Sequence, residues 1–351
     1  METPASLVSV VMAVHNGERH LAKALFSVLA QTYSTLEVIV INDGSTDSTP
    51  RLLADCHDPR LVVLKNDRNE GLARSLNRGI ERAKGSYIAR MDADDVCHLH
   101  RIEYQVRYME QHPEVGLLGT ACRIIDGTGN AHDVVVHPQS DAAMRWRLLF
   151  APPLAHPTAL IRREILLNHN LRYDPAWPVA QDYELWSRLL KFCRGANLTE
   201  ALLDYRVHSS GTSAMKRDDQ ESWALRVCER ESAPFLPSDL QPSLLAPLRR
   251  MLLGAPVEGD PRASYLRCQL LRLAKNYVHH QPLDRSARKE VRREVIANAL
   301  ADGSFIRPLD GDSFSLLRRA FLFEPIAATS AIGRLAWHFC ARQLKPIGAA
   351  L

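Results

Sequence analysis

The first 120 residues alternate apolar runs of strand length with segments of helical periodicity, and polar residues end several of the apolar runs. Leu7 to Val14 is a β-branched run that reads as a buried strand. Leu36 to Ile41, Leu61 to Leu64 and Tyr87 to Met91 read as three more. Between them, Glu18 to Gln31 puts Leu21, Leu25, Val28 and Leu29 on one helical face. Ser45 to Cys56 reads as a short helix opened by Ser, Thr and Asp caps, and Gly71 to Ala83 spaces Leu72, Leu76 and Ile80 for one face. This alternation predicts an α/β fold: an open, Rossmann-like, mostly parallel sheet with helices on both faces. Such sheets bind ligands at the carboxyl ends of their strands. His15–Asn16, Asn42–Asp43 and Asp92–Asp95 all fall at those ends.

The rest of the chain reads differently. Val115 to Leu118 and Leu198 to Val207 are strand-like, and Asp182 to Phe192 is helical. From Asp219 onward only helices are expected, near 219–232, 241–253, 262–280 and 284–301, with one or two after 313, punctuated by Gly and Pro. A boundary near residue 216 predicts two domains, an α/β domain over 1–216 and an all-α region over 217–351.

The seven cysteines are scattered and odd in number, with no C-x-x-C pair, which argues against a disulfide framework or a structural zinc site. No secretory signal is read at the N-terminus, and no run approaches the roughly 20 apolar residues of a membrane span. The expected location is the cytoplasm, including the inner face of the plasma membrane. From Glu221 to the end there are 19 Lys and Arg against 13 Asp and Glu, although the whole chain is only +4. The basic surplus lies in the C-terminal part. Arg285, Arg288, Lys289, Arg292 and Arg293 crowd one helix, and 316–344 mixes aromatic with basic residues. That composition suits an anionic membrane surface; the plainer reading is a solvated helical face or a contact between copies in a homo-oligomer.

Asp92-Ala93-Asp94 follows an apolar strand. Two carboxylates one residue apart can share a divalent cation, Mn²⁺ or Mg²⁺, whose remaining ligands come from substrate phosphates. The plain alternative is a solvated acidic turn. Asp43 could accept a nucleobase N–H, or cap a helix.

Five segments then fix a resemblance: Val8-Ser9-Val10-Val11-Met12-Ala13-Val14-His15-Asn16-Gly17, Asn42-Asp43-Gly44-Ser45-Thr46-Asp47, Asn69-Glu70-Gly71-Leu72-Ala73, Asn77 to Ile88, and Asp92-Ala93-Asp94-Asp95. His156-Pro157-Thr158, Gln181-Asp182-Tyr183-Glu184-Leu185-Trp186 and Tyr205-Arg206 with His208 continue it. In this order they resemble the inverting family-two glycosyltransferases, which have the GT-A type fold, over about residues 5–213. The resemblance implies a nucleotide-diphospho-sugar donor, UDP-linked by virtue of Asp43, and a saccharide or lipid-linked acceptor in bacterial surface polysaccharide assembly. It implies that Asp43 binds the base, Asp94 holds the metal, Asp92 contacts the ribose or assists the metal, and Asp182 is the catalytic base. Ala13 and His15 stand where the family has Pro and Tyr, next to Asn16, so a histidine ring replaces the one that stacks on the base. Gln181 replaces the Glu before the base, which removes a negative charge and should lower the pKa of Asp182. His208 reads as a metal or diphosphate contact, or as a packing histidine. Arg74 and Arg206 read as diphosphate partners or as solvated charges. Trp177 and Trp186 could stack on sugar, Trp186 reading more simply as core.

Other classes fit less well. Asp92 to Val96 also matches a phosphatase D-x-D-x-[TV] motif, but that motif belongs on a first strand and here follows the fourth. No G-x-G-x-x-G follows the first strand and there is no P-loop, which disfavours a dinucleotide oxidoreductase. A non-catalytic nucleotide-sugar or glycan binder should have lost Asp92, Asp94 or Asp182. Nucleic-acid binding is not expected, because the basic patches lack a stacking platform.

Overall fold

β1 (Val8–Val14) lies parallel between β2 (Leu36–Asp43) and β4 (Tyr87–Asp92), and β3 (Leu61–Asn66) extends the sheet parallel to β2. This arrangement comes from a computed structural model that describes residues 5–208, 217–253 and 263–299. The links between these strands carry α1 (Leu21–Leu29), α2 (Thr49–Ala54) and α3 (Leu72–Arg82). After β4 come β5 (Val96–Cys97), α4 (Arg101–Gln111), β6 (Val115–Ile125), β7 (Ala131–Val135) and α5 (Asp141–Leu148). β8 (Leu160–Arg162), α6 (Arg163–Asn168), α7 (Gln181–Leu189) and β9 (Arg194–Arg206) complete the unit. The strand order is β3-β2-β1-β4-β8-β6-β9-β5, with β7 paired to β6. The first four strands are all parallel. Beyond β4 the sheet is mixed: β8 runs antiparallel to both β4 and β6, while β9 is parallel to β6.

Two apolar layers hold the sheet. On one face Val8, Val10 and Met12 pack with Leu21, Leu25 and Val28 of α1 and with Ile102, Val106 and Met109 of α4. On the other face Val11, Ile39 and Ile41 meet Leu76 and Ile80 of α3 and Tyr183, Leu185, Trp186 and Leu189 of α7. Each large apolar side chain so buried contributes about 1.5–3 kcal/mol before entropy is counted. The α3 face is the one the spacing of Leu72, Leu76 and Ile80 predicts.

Several elements differ in extent. The segment expected as one helix from Ser45 is helical only over Thr49–Ala54, because 45–48 is a turn hydrogen-bonded to the 16–18 loop. β6 runs eleven residues, through Ile125.

Among the described residues, one compact unit comprises 5–148 with 152–227, and another comprises 149–151 with 228 onward. α8 (Arg217–Ser232), α9 (Leu245–Leu252), α10 (Ala263–His280) and α11 (Arg285–Ala299) take the places of the expected C-terminal helices. The second unit buries Leu248, Leu266, Leu270, Leu273, Val291 and Val295. Residue 216, the aromatic and basic stretch of 316–344 and the helices expected after 313 lie outside the described residues. No described helix is long and apolar enough to cross a membrane.

Candidate active site

The parallel strands deliver their polar ends to one edge. Ala13 is in register with Ile41 of β2 and Asp92 of β4, so His15–Asn16, Asp43 and Asp92–Asp95 emerge side by side. The two loops nearest β1 are stitched together. Asn16 is left-handed (φ 53), a conformation its short side chain tolerates, and its Oδ1 accepts the Thr46 N–H at 2.8 Å. The Asn16 N–H donates to Ser45 Oγ at 2.9 Å. The His15 ring is exposed, and its Nδ1–H donates to the Asp43 carbonyl at 2.8 Å, since a carbonyl can only accept. The Asn16 amide then donates to Nε2 at 3.3 Å.

Asp43 is buried and satisfied from the far side. Its Oδ1 accepts from Asn66 Nδ2 at 2.7 Å and from the Glu70 N–H at 2.8 Å, and its Oδ2 accepts the Gly71 N–H at 2.9 Å. Three of about four acceptor positions on the carboxylate are taken. Asp43 therefore anchors the start of α3. Gly44 (φ +64) is required beside it, because a Cβ there would lie 2.4 Å from the Arg68 carbonyl carbon. Asn66 ends β3 in register with Asp43; its Nδ2 also donates to Ser75 Oγ, and its Oδ1 accepts from Arg78. Nothing in the sequence reading singled out Asn66, although it ends its strand as the other polar clusters do.

The acidic turn is tighter than the sequence implies. Ligand oxygens of Asp92, Asp94 and Asp95 lie within 4.8 Å of one another. Asp94 Oδ2 accepts from His208 Nε2 at 3.0 Å, although the two residues are 114 positions apart. Asp95 is buried; its Oδ1 accepts the Arg206 N–H at 2.7 Å, while its Oδ2 has no hydrogen-bond partner. Burial, and then Asp92 and Asp94, hold the Asp95 carboxyl well above the usual range. Arg206 is not the solvated charge of one of its two readings. It is buried and donates from Nε to the Asp94 carbonyl at 2.8 Å and from Nη1 to the Asp126 carbonyl at 3.0 Å. Arg74 is exposed in the first turn of α3, with no hydrogen bond or ion pair among the described residues.

This cluster fits a divalent cation. The donors are three carboxylates, with the His208 imidazole bonded to one of them, and one buried carboxylate oxygen is orphaned.

Asp182 enters from the face that carries α7. Ala180 is left-handed (φ 54), an unfavourable conformation for alanine, and turns the chain so that Asp182 lies in the first helical turn. Burial raises the Asp182 carboxyl above its ordinary value, against backbone N–H groups and Arg90, which favour its ionised form. Burial, not the charge missing at Gln181, sets the direction. Trp186 is fully buried in the core, while half-buried Trp177 packs against Trp223 of α8 with ring centroids 4.9 Å apart.

Residues 9–169 match the family described as glycosyl transferase family 2. The chain is 33% identical over 239 residues to an uncharacterized glycosyltransferase of Haemophilus influenzae, covering 65% of this chain and 74% of that one. It is also 33% identical over 228 residues to the O-antigen biosynthesis glycosyltransferase WbnJ of Escherichia coli, covering 63% and 88%. In structure it resembles S. aureus TarS 1-349 in complex with UDP (TM-score 0.54, 16% identity, 92% of this chain and 90% of that). It also resembles a mannosyltransferase from Pyrobaculum calidifontis in complex with GDP-Man and Mn²⁺ (TM-score 0.52, 18% identity, 96% and 88%). A GT-A fold carrying these motifs, matched to such relatives, makes the chain a glycosyltransferase that belongs to family 2.

Proposed function

We propose that the protein transfers a sugar from a UDP-linked donor to a saccharide or lipid-linked acceptor hydroxyl, with inversion, in the assembly of a bacterial surface polysaccharide. The observation that carries this reading is the meeting of Asp94 and His208 beside Asp92 and Asp95 at the ends of the parallel strands. Asp94 and His208 would hold Mn²⁺ or Mg²⁺, with Asp95 Oδ2 behind them. When bound, the cation offsets the charge that develops on the diphosphate. Asp43 keeps about one acceptor position on Oδ2, the complement of an imide N–H such as that of uracil. His15, pinned at Nδ1, offers its ring face to the base.

In the reaction the acceptor oxygen bonds to the anomeric carbon as the bond from that carbon to the diphosphate oxygen breaks. The nucleoside diphosphate leaves with the electron pair, and Asp182 takes the proton of the acceptor hydroxyl. A carboxyl raised by burial is a better base for that step than a solvated one. The polysaccharide setting is supported by the Escherichia coli relative's part in O-antigen biosynthesis, and TarS has also been crystallised with UDP-GlcNAc.

Donor turnover with UDP-, GDP- and dTDP-sugars, with Mn²⁺, Mg²⁺ or EDTA, tests the reading. We expect one UDP-sugar to turn over only with metal, and Asp94→Ala to lower the rate by about 10²–10⁴-fold. No binding of any nucleotide-sugar under any metal condition would overturn it, and retained anomeric configuration in the product would remove the inversion.

A further inference from the structure

Arg90 is a charge in the middle of a strand whose neighbours Ile88, Ala89 and Met91 are apolar, and it is only 3% exposed. Side chains alternate across a strand, so Arg90 lies on the same face as Ile88 and Asp92. That is the face on which Ile88 packs with Tyr183, Leu185 and Trp186 of α7, the helix that carries Asp182. Its backbone is fixed on both sides: the N–H donates to the Ala159 carbonyl at 2.9 Å, and its carbonyl accepts from Arg101 Nη2 at 2.9 Å. The guanidinium forms an ion pair with Asp92 Oδ2, while its Nε, also buried, has no hydrogen-bond partner. Asp182 lies within the field of the same guanidinium, as do Tyr173 and His156, which are joined to each other by a 2.7 Å hydrogen bond.

A buried guanidinium is an expensive way to fill this position. Desolvating it costs several kcal/mol, and an apolar residue of similar volume packs as well or better. What an apolar residue cannot supply is a fixed positive charge on this face of the sheet. Asp92 is 29% exposed, so part of its side chain remains open to solvent and to a ligand while Oδ2 is held by Arg90.

We propose that Arg90 is a positioning residue of the transfer, one buried guanidinium that fixes Asp92 for the donor and acts through its charge on the base Asp182. The inference rests on the glycosyl-transfer reading above, in which Asp92 faces the donor and Asp182 takes the proton. It makes the donor and acceptor halves of the site share a single cation. The charged and titratable groups around Asp182 are Arg90 and Asp92 from β4, Tyr173 and His156 on the same face, and Glu184 on α7, which is paired with Arg188. Removing the cation disfavours the ionised form of Asp182, so its titration must move to higher pH.

The test is a carboxyl ¹³C NMR titration of the full chain labelled at aspartate, comparing wild type, Arg90→Gln and Arg90→Lys, with Asp182→Asn to assign the resonance. The Asp182 midpoint should rise by ~1 pH unit in Arg90→Gln and stay near wild type in Arg90→Lys, which keeps the charge. The acid limb of kcat/KM for donor turnover should follow the same shift, with kcat down roughly 10-fold or more in both variants because Asp92 loses its fixed partner. A merely packing role for Arg90 would move neither the midpoint nor the limb. An unchanged midpoint in Arg90→Gln overturns the proposal. If that variant does not fold, a midpoint displaced in Arg90→Lys, or an undiminished kcat there, does so instead. A shifted midpoint in a protein that turns over no nucleotide-sugar leaves the electrostatic link standing and rejects the transfer reading alone.

Discussion

Asp182 is held in a state that a merely structural carboxylate would avoid. Burial raises its carboxyl, so between the ordinary carboxylate range and the raised native value the folded state binds more protons than the unfolded one. Stability therefore falls as pH rises through that window, and the loss persists at neutral pH. Asp182→Asn removes the ionisable group and with it that loss. We expect the variant to melt above wild type at pH 7, the gap closing below about pH 4, while donor turnover is lost. Thermal scans across pH check the first half and a turnover assay the second; a variant that melts lower at pH 7 would show that the carboxylate is stabilised where it sits. At this scale the sequence was legible where chemistry is local. Asp92 and Asp94 stand out by type and spacing, and Asp182 by its motif. Arg90 and Asn66 did not, because their partners become visible only once strands pair. The Asp94–His208 contact was open in the sequence for the same reason: it spans 114 residues, and only the pairing of β5, which follows the acidic turn, with β9 brings the two together.

Among the elements, β9 does more than close the sheet. Its last residue, Arg206, binds the backbone of the acidic turn at Asp94 and of the 126–130 turn at Asp126, and its own N–H satisfies Asp95. Two residues later the chain reaches His208. β9 thus carries the acidic turn and the imidazole on one rigid support, which is how a site stays pre-formed. Arg206→Met keeps the length and apolar volume of the side chain and removes its two donations to carbonyls. We expect about 2–4 kcal/mol of lost stability in urea unfolding, since two carbonyls lose charge-assisted donors, and at least a 10-fold weaker dependence of turnover on Mn²⁺. Full metal dependence with stability lost would separate the two roles and remove Arg206 from the site's support. The elements that escaped the sequence did so for physical reasons. The buried face of α4 sets Arg101 and Gln105, which hydrogen-bond each other at 3.0 Å, beside Ile102, Val106 and Met109, so its apolar stripe is narrow and flanked by polar residues. β7 is exposed along its whole length and shows no alternation, and β8 is three residues long. Of the four strands that were legible, β1, β2 and β4 are buried and β3 is the part-exposed edge, and all four are separated by helices, the pattern with the fewest alternative readings.

At the scale of the whole molecule, charge is the organising feature. The α/β part is slightly acidic and the C-terminal part basic, and α11 presents Arg285, Arg288, Lys289 and Arg293 to solvent. The basic composition of this helix suits an anionic membrane surface, which an amphipathic helix can meet by charge or by inserting its apolar side. The structure places that side elsewhere: Val291, Val295 and Ile296 are fully buried in protein. Any attachment through α11 must then be electrostatic. Basic residues near an anionic surface contribute about 1 kcal/mol each, over a range of about one Debye length, and apolar insertion contributes nothing. A lipid-linked acceptor would give such attachment a use, by holding the enzyme at the surface where the acceptor lies. The full chain should co-sediment with vesicles containing phosphatidylglycerol and not with pure phosphatidylcholine. Salt of about 0.5 M should release it, because the Debye length then falls well below that at physiological salt. Glu at positions 288, 289 and 293 should weaken binding by 10-fold or more while leaving donor hydrolysis in solution unchanged, since these residues belong to a unit that contributes nothing to the acidic cluster. Binding that survives high salt or the triple charge reversal would mean that α11 does not carry the attachment, and the basic face would then be a solvated one.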